Sequence, residues 1–312
     1  MRPNININLL LVISLTIVIL SGCQQPDTFM SRYNQAEYGY QPRIAVGMYI
    51  WRQDRHKRKV DYFEDLDAVF AEAKAAGAES IEDFLTLFDN DQRAARTKSL
   101  LAKHNLKLAG LYVNGVFDDQ AEAEKTIESI LTDAARAKEF APIFIDANPR
   151  ALPGKKMKTD KQLATQVKML NKLGEKLAEM NMYLVIHQHD PEILHNAREH
   201  RYNVKNVDPE YVGFCLDTHW VYRGGLDPFT LVKEAGPKLE AMHLRNSKNG
   251  VWGEAFGPGD IDYVPIAQYL KDSKYRGWLI LEPAYEKKTK VTRSLVDNIK
   301  QGLAYLKSVF ID

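Results

Sequence analysis

The sequence predicts a single (β/α)8 barrel over residues 43–312, and three observations carry that reading. From Arg43 onward, eight apolar strand-like runs alternate with helix-like stretches, which demands a mainly parallel sheet. The first run ends in Trp51-Arg52-Gln53-Asp54, without the glycine-rich phosphate turn of a doubly wound open sheet. Histidines and acids gather at the ends of the later runs, where a parallel barrel places its active site.

The first strand is read over Ile44–Trp51, and the next helix sets Leu66, Val69, Phe70 and Ala73 on one face. Ala76-Gly77 stops that helix before a second strand at Ser80–Leu85. A helix over about Asp91–His104 leads to a third strand, Leu106–Val113. Ile127, Ile130, Leu131 and Ala134 share the face of the third helix, and Ala141–Ala147 forms the fourth strand. Leu163, Val167, Leu170, Leu173 and Leu177 keep the 3–4 spacing of an amphipathic helix. The fifth strand is Met182–His187, and a short helix covers Glu192–Arg201. Val212–Leu216 is the sixth strand, and Asp227-Pro228 opens the next helix. The seventh strand is Leu239–Leu244, with a helix from near Asp262, and the eighth is Trp278–Leu281. A last helix runs from about Thr292 to Val309.

The first 22 residues read as an export signal: Arg2 is the positive end, and Leu9–Leu20 is an apolar run too short to span a bilayer comfortably. Leu20-Ser21-Gly22-Cys23 resembles a bacterial lipobox, which implies cleavage before Cys23 and lipid on its sulfur. Residues 23–42 are then a polar, lipidated tether, and the expected location is a membrane surface facing the periplasm or cell exterior. Cys215 remains as the only free thiol, so no intramolecular disulfide is expected. The formal charge of +1, from 42 basic and 41 acidic residues, gives no support for a nucleic-acid partner.

His187 ends the fifth strand with His189 just beyond it, Asp217 and His219 follow the sixth, His243 lies within the end of the seventh and Glu282 stands at the end of the eighth. Singly, each has an ordinary explanation: His243 as a core histidine, Asp217 as a loop cap. Glu282 follows Trp-Leu-Ile-Leu, and a carboxylate ending a buried strand needs a partner. Nitrogen and oxygen donors from four successive strand ends point to one divalent metal ion.

From about residue 43 the chain resembles the xylose-isomerase-like TIM-barrel family of sugar isomerases and epimerases. The resemblance rests on Leu-Val-Ile-His-Gln-His (184–189), Leu-Asp-Thr-His-Trp (216–220), Gly-Gly-Leu-Asp-Pro (224–228), Met-His-Leu-Arg-Asn (242–246), Gly-Pro-Gly-Asp-Ile-Asp-Tyr (257–263) and Tyr-Arg-Gly-Trp-Leu-Ile-Leu-Glu (275–282). It implies metal ligation by His187, Asp217, His243 and Glu282. Three features depart from the common pattern. His187 replaces a glutamate, and its H-x-H with His189 looks like the inosose dehydratase branch. Asp217-Thr218-His219 lacks the glycine that usually precedes the histidine. Arg245-Asn246 stands where many relatives have Lys-Asp.

A divalent ion (Mn, Co, Zn, Fe, Ni or Mg) would polarise a sugar carbonyl, so that a nearby base removes the α-proton. The enediolate then leads to epimerisation, to isomerisation, or to loss or gain of water. The H-x-H feature favours a hydratase/dehydratase, with epimerase or isomerase as the alternative. The base candidates are His189, His219 and Glu82, the last in a family pattern G-x-x-x-[VI]-E beginning at Gly77. Arg245 is placed to hold a substrate oxygen, and Trp51, Trp220 and Trp252 are read in top loops as sugar-stacking rings. The basic run 52–59 is read as a solvated loop. An exported enzyme seldom meets sugar phosphates, so a neutral keto-sugar, keto-glycoside or cyclitol ketone is expected. The different-class alternative is a carbohydrate-binding lipoprotein without catalysis. A barrel nuclease of the endonuclease IV type would need more metal ligands and a basic face.

Overall fold

The computed structural model describes residues 39–312. The export signal, Cys23 and most of the tether lie outside the described residues. Among the described residues there are ten strands: β1 (Arg43–Gly47), β2 (Ser80–Phe84), β3 (Lys107–Gly115), β4 (Phe144–Pro149), β5 (Tyr183–Ile186), β6 (Val212–Asp217), β7 (Leu239–Leu244), β8 (Ser247–Lys248), β9 (Val251–Trp252) and β10 (Trp278–Leu281). Eight of them close a parallel barrel in the order β1-β2-β3-β4-β5-β6-β7-β10. The fold is therefore the (β/α)8 TIM barrel. β8 and β9 form a small antiparallel hairpin inserted after β7.

Two apolar layers hold the barrel. Between strands and helices runs the main core, to which Leu163, Leu170, Leu173 and Leu177 bring the stripe seen in the sequence. Thr159 starts their helix as a capping box with Gln162. Inside the barrel, Ala45, Ala109, Phe144, Val185, Cys215, Ala241 and Ile280 fill the floor. Gly110 makes room for this layer: a Cβ there would lie 2.1 Å from the Phe144 ring. The site is built on top of that floor. Chain preceding β1 docks against the base of the barrel, where Gln41 N–H donates to the Tyr275 carbonyl at 3.1 Å.

The largest departure from the sequence reading follows β1. The strand stops at Gly47, and Tyr49–Arg58 is a helix in place of the expected strand end and solvated basic loop. Ile50, Trp51 and Arg55 form its buried face. Arg55 is neutralised by Asp65 at 2.9 Å and Glu72 at 2.8 Å. Trp51 is thus no top-loop platform. It is fully buried, and its indole N–H donates to Glu72 at 3.0 Å.

Candidate active site

Strand alternation aims Glu82 (β2), Asp146 (β4), Cys215 and Asp217 (β6), His243 (β7) and the residue after β10, Glu282, into the barrel. Asp217 pairs in register with His243, and Ile280 does so from the other side. Gly47 pairs with Glu82 and leaves space for Glu282, whose Cγ would lie 2.8 Å from a Cβ at position 47. Above them opens a cavity of about 300 Å3. Glu82, His187, His189, His243, Arg245 and Glu282 supply its polar wall, and Tyr49, Phe84, Tyr112, Trp220 and Trp252 its aromatic wall. Phe84 and Tyr112 meet edge to face at 5.3 Å, and Trp220 and Trp252 at 5.8 Å.

The donor atoms form two overlapping groups, Asp217–His243–Glu282 and Asp146–His187–Cys215–His243. Within each, one atom per residue lies within 4.8 Å of all the others. His243 Nδ1 faces Glu282 Oε2 at 3.4 Å. His243 Nε2 lies 2.7 Å from Glu82 Oε2 and 3.7 Å from Asp146 Oδ2. These contacts lack hydrogen-bond alignment, and both nitrogens of His243 remain without a hydrogen-bond partner. So do Glu82 Oε1, both oxygens of Asp146 and His187 Nδ1, all buried. Unpaired buried donors and acceptors are costly, and here they converge. A divalent cation fits such a set, since it accepts nitrogen and carboxylate lone pairs together.

Arg245 supplies positive charge to the same place. Its guanidinium bonds to Asp217 Oδ2 and lies 3.0 Å from Glu282 Oε2. Its far side rests on Trp252 and Trp220, 4.8 and 5.4 Å from the ring centres. Burial alone would raise the Glu282 pKa, but Arg245 and His243 hold it well below the carboxylate range. The other oxygen of Asp217 accepts from the backbone N–H groups of His219 and Trp220 at 2.9 and 3.0 Å. Asp217 is therefore both the cap of the helix Thr218–Arg223 and a site carboxylate.

Burial pushes Glu82 up to about 7 and lowers His189 to about 3. His189 is a neutral imidazole on the cavity wall, its ring 5.3 Å from Trp220. His219 is buried behind Trp252, whose indole N–H donates to its Nδ1 at 3.0 Å, and it does not line the cavity. The missing glycine of Asp217-Thr218-His219 accompanies this placement. The sequence gives no site role to Asp146, Phe84 or Tyr112, and Cys215 reads there only as a free thiol. Asp146 had a usable signal, an acid inside the apolar run Ile143-Phe144-Ile145-Asp146-Ala147.

The family description "Xylose isomerase-like TIM barrel" matches residues 70–309. The chain belongs to this family. It is 24% identical over 270 residues to the inosose dehydratase of Geobacillus kaustophilus, covering 77% of this chain and 86% of that protein. The inosose dehydratase of Clostridium tetani is 28% identical over 142 residues, 40% of this chain and 48% of its own length. Among solved structures, a D-allulose 3-epimerase from Methylomonas sp. in complex with D-allulose superposes with TM-score 0.70. It has 17% identity and covers 88% of this chain and 99% of its own. A sugar phosphate isomerase/epimerase from Parabacteroides distasonis gives TM-score 0.66 at 16% identity, over 89% and 97%. At such identities these structures share the fold. The family supplies the setting of sugar isomerases, epimerases and dehydratases, and the buried donor groups supply a place for a divalent metal.

Proposed function

We propose that this barrel is a divalent-metal-dependent hydratase/dehydratase acting on a neutral keto-sugar, keto-glycoside or cyclitol ketone. The observation that carries this reading is the convergence of Asp217, His243 and Glu282 beneath a cavity walled by histidines and aromatic rings. The inosose dehydratase relatives support it. In this reading His187, Asp217, His243 and Glu282 hold the ion, as the resemblance of the motifs implies. When bound, the ion acts as a Lewis acid toward the substrate's carbonyl and hydroxyl oxygens.

The chain's own groups do the rest. Neutral His189 takes the α-proton, and the Glu82 carboxyl, poised near neutrality, gives a proton to the departing β-hydroxyl. Hydration is the reverse. Arg245 keeps Asp217 and Glu282 in place, and Trp220 and Trp252 flank the substrate. Glu82 on β2 and His189 after β5 sit three strands apart around the ring. Two proton-moving groups so separated also suit reprotonation on the opposite face, so an epimerase is the second reading. NMR of keto-sugars in D2O with added divalent metals separates the two. Water gain with solvent deuterium at the α-carbon is expected, or water loss in which the α-hydrogen is removed and solvent deuterium enters the former β-carbon as the product enol ketonises. Epimer formation alone would favour the second reading, and turnover without deuterium at any carbon would reject enolisation. We further propose that the enzyme is a lipoprotein anchored through Cys23, with a small carbohydrate as its partner.

A further inference from the structure

The floor beneath the outer triad carries a chemistry that the proposed reaction does not use. Cys215 precedes Asp217 by two residues on the same face of β6, one layer deeper. There it faces Asp146, His187 and His243, and one donor atom from each of the four lies within 4.8 Å of the others. Asp146 is fully buried, and neither of its carboxylate oxygens accepts a hydrogen bond. Its nearest cationic candidates are imidazole nitrogens, His187 Nδ1 at 3.4 Å and His243 Nε2 at 3.7 Å. His187 Nδ1 is buried without a hydrogen-bond partner, and His243 Nε2 has only a misaligned contact with Glu82 Oε2 at 2.7 Å. A dry carboxylate surrounded by unpaired imidazole nitrogens and a thiol is unfavourable unless something bonds to all of them.

We propose that Asp146, His187, Cys215 and His243 form a second, inner cation site, specific for a thiophilic divalent metal such as Zn2+. The donor set is one carboxylate oxygen, two imidazole nitrogens and one sulfur, a four-coordinate set typical of zinc. A thiolate selects against Mg2+, Ca2+ and Mn2+. Two anionic ligands balance the ion's charge once binding releases the Cys215 proton to solvent. His187 and His243 are shared with the proposed outer ion: His243 faces Asp146 through Nε2 and Glu282 through Nδ1, and His187 faces Asp146 through Nδ1, leaving its Nε2 for the outer ion. Glu82, now 2.7 Å from His243 Nε2, must yield that nitrogen to the inner ion.

The inner site does not rest on the outer one. Asp146 and Cys215 belong only to the inner group, and Asp217 and Glu282 only to the outer. The test is Co2+ loading of the metal-free full chain, read by near-ultraviolet thiolate-to-cobalt charge-transfer absorption and by elemental analysis. The wild type should show the thiolate band. Cys215→Ser should abolish it and bind one equivalent less, which also removes Cys23 as its source. Asp217→Asn should keep the band even if turnover is lost. If Cys215→Ser does not fold, Asp146→Asn retains the thiol and should still lose the band. A wild type that binds cobalt with no thiolate band overturns the inner site, as does a band that survives Cys215→Ser.

Discussion

Gly47→Ala should disable the site while leaving the barrel folded. Gly47 has no positive φ, so alanine is acceptable to the backbone and lowers the entropy of the unfolded chain by about 0.4–1 kcal/mol. Its new methyl would lie 2.8 Å from Glu282 Cγ and 3.1 Å from Glu282 Cβ, closer than packed atoms tolerate. Overpacking of this kind costs about 1–3 kcal/mol, so the net loss is about 0–2.6 kcal/mol, at most several degrees in Tm. The Glu282 side chain is 15% exposed and has room to move outward, away from His243 and Arg245. A displacement near 1 Å at a reacting centre costs about 100-fold. Urea melts, metal content and turnover should show a small stability loss beside a large loss of metal and rate. Wild-type turnover and metal content in a stable Gly47→Ala protein would refute the claim that Gly47 seats Glu282.

His189→Ala should keep its metal and lose about 10²–10⁴-fold in turnover, whereas His187→Ala should lose both. Reversed results would exchange the two roles. Burial lowers His200 to about 4, against 6.5 when unfolded. The unfolded chain therefore takes up a proton between about pH 6.5 and 4 that the native state refuses. Stability should fall as pH drops through that window, by about 3 kcal/mol in full. His200→Gln should flatten this slope in urea melts at pH 7.5 and 4.5, and an unchanged slope would discard the assignment. Cys23→Ser should release the protein from the membrane fraction or leave its precursor uncleaved. An unmodified mature N-terminus elsewhere, found by mass spectrometry, would contradict the lipid anchor.

Strong periodicity made most of the barrel legible. Leu239–Leu244 and Trp278–Leu281 are strands with the bounds read from sequence: the second is an unbroken apolar run, and the first is bounded by Gly236-Pro237-Lys238 and Arg245-Asn246. The helix Tyr49–Arg58 was hidden because its buried face includes Arg55, whose burial depends on Asp65 and Glu72 from the following segment. No local pattern reports a charge neutralised by a later helix. The hairpin β8–β9 has strands of only two residues, below any periodic signal. At the site, strand ends single out His187, Asp217, His243 and Glu282 as candidates. Their division into two groups depends on strand register and on Asp146, whose neighbours come from other strands. His219 stands beside Asp217 in sequence, yet the helical turn that Asp217 caps carries it behind Trp252.

The central claim is that the barrel mouth binds a divalent ion needed for turnover. Elemental analysis of purified wild type, Asp217→Ala and Glu282→Ala, paired with melting curves, tests it most directly. Each variant should stay folded and carry one divalent ion fewer per chain than the wild type. Equal metal content in all three would contradict the account.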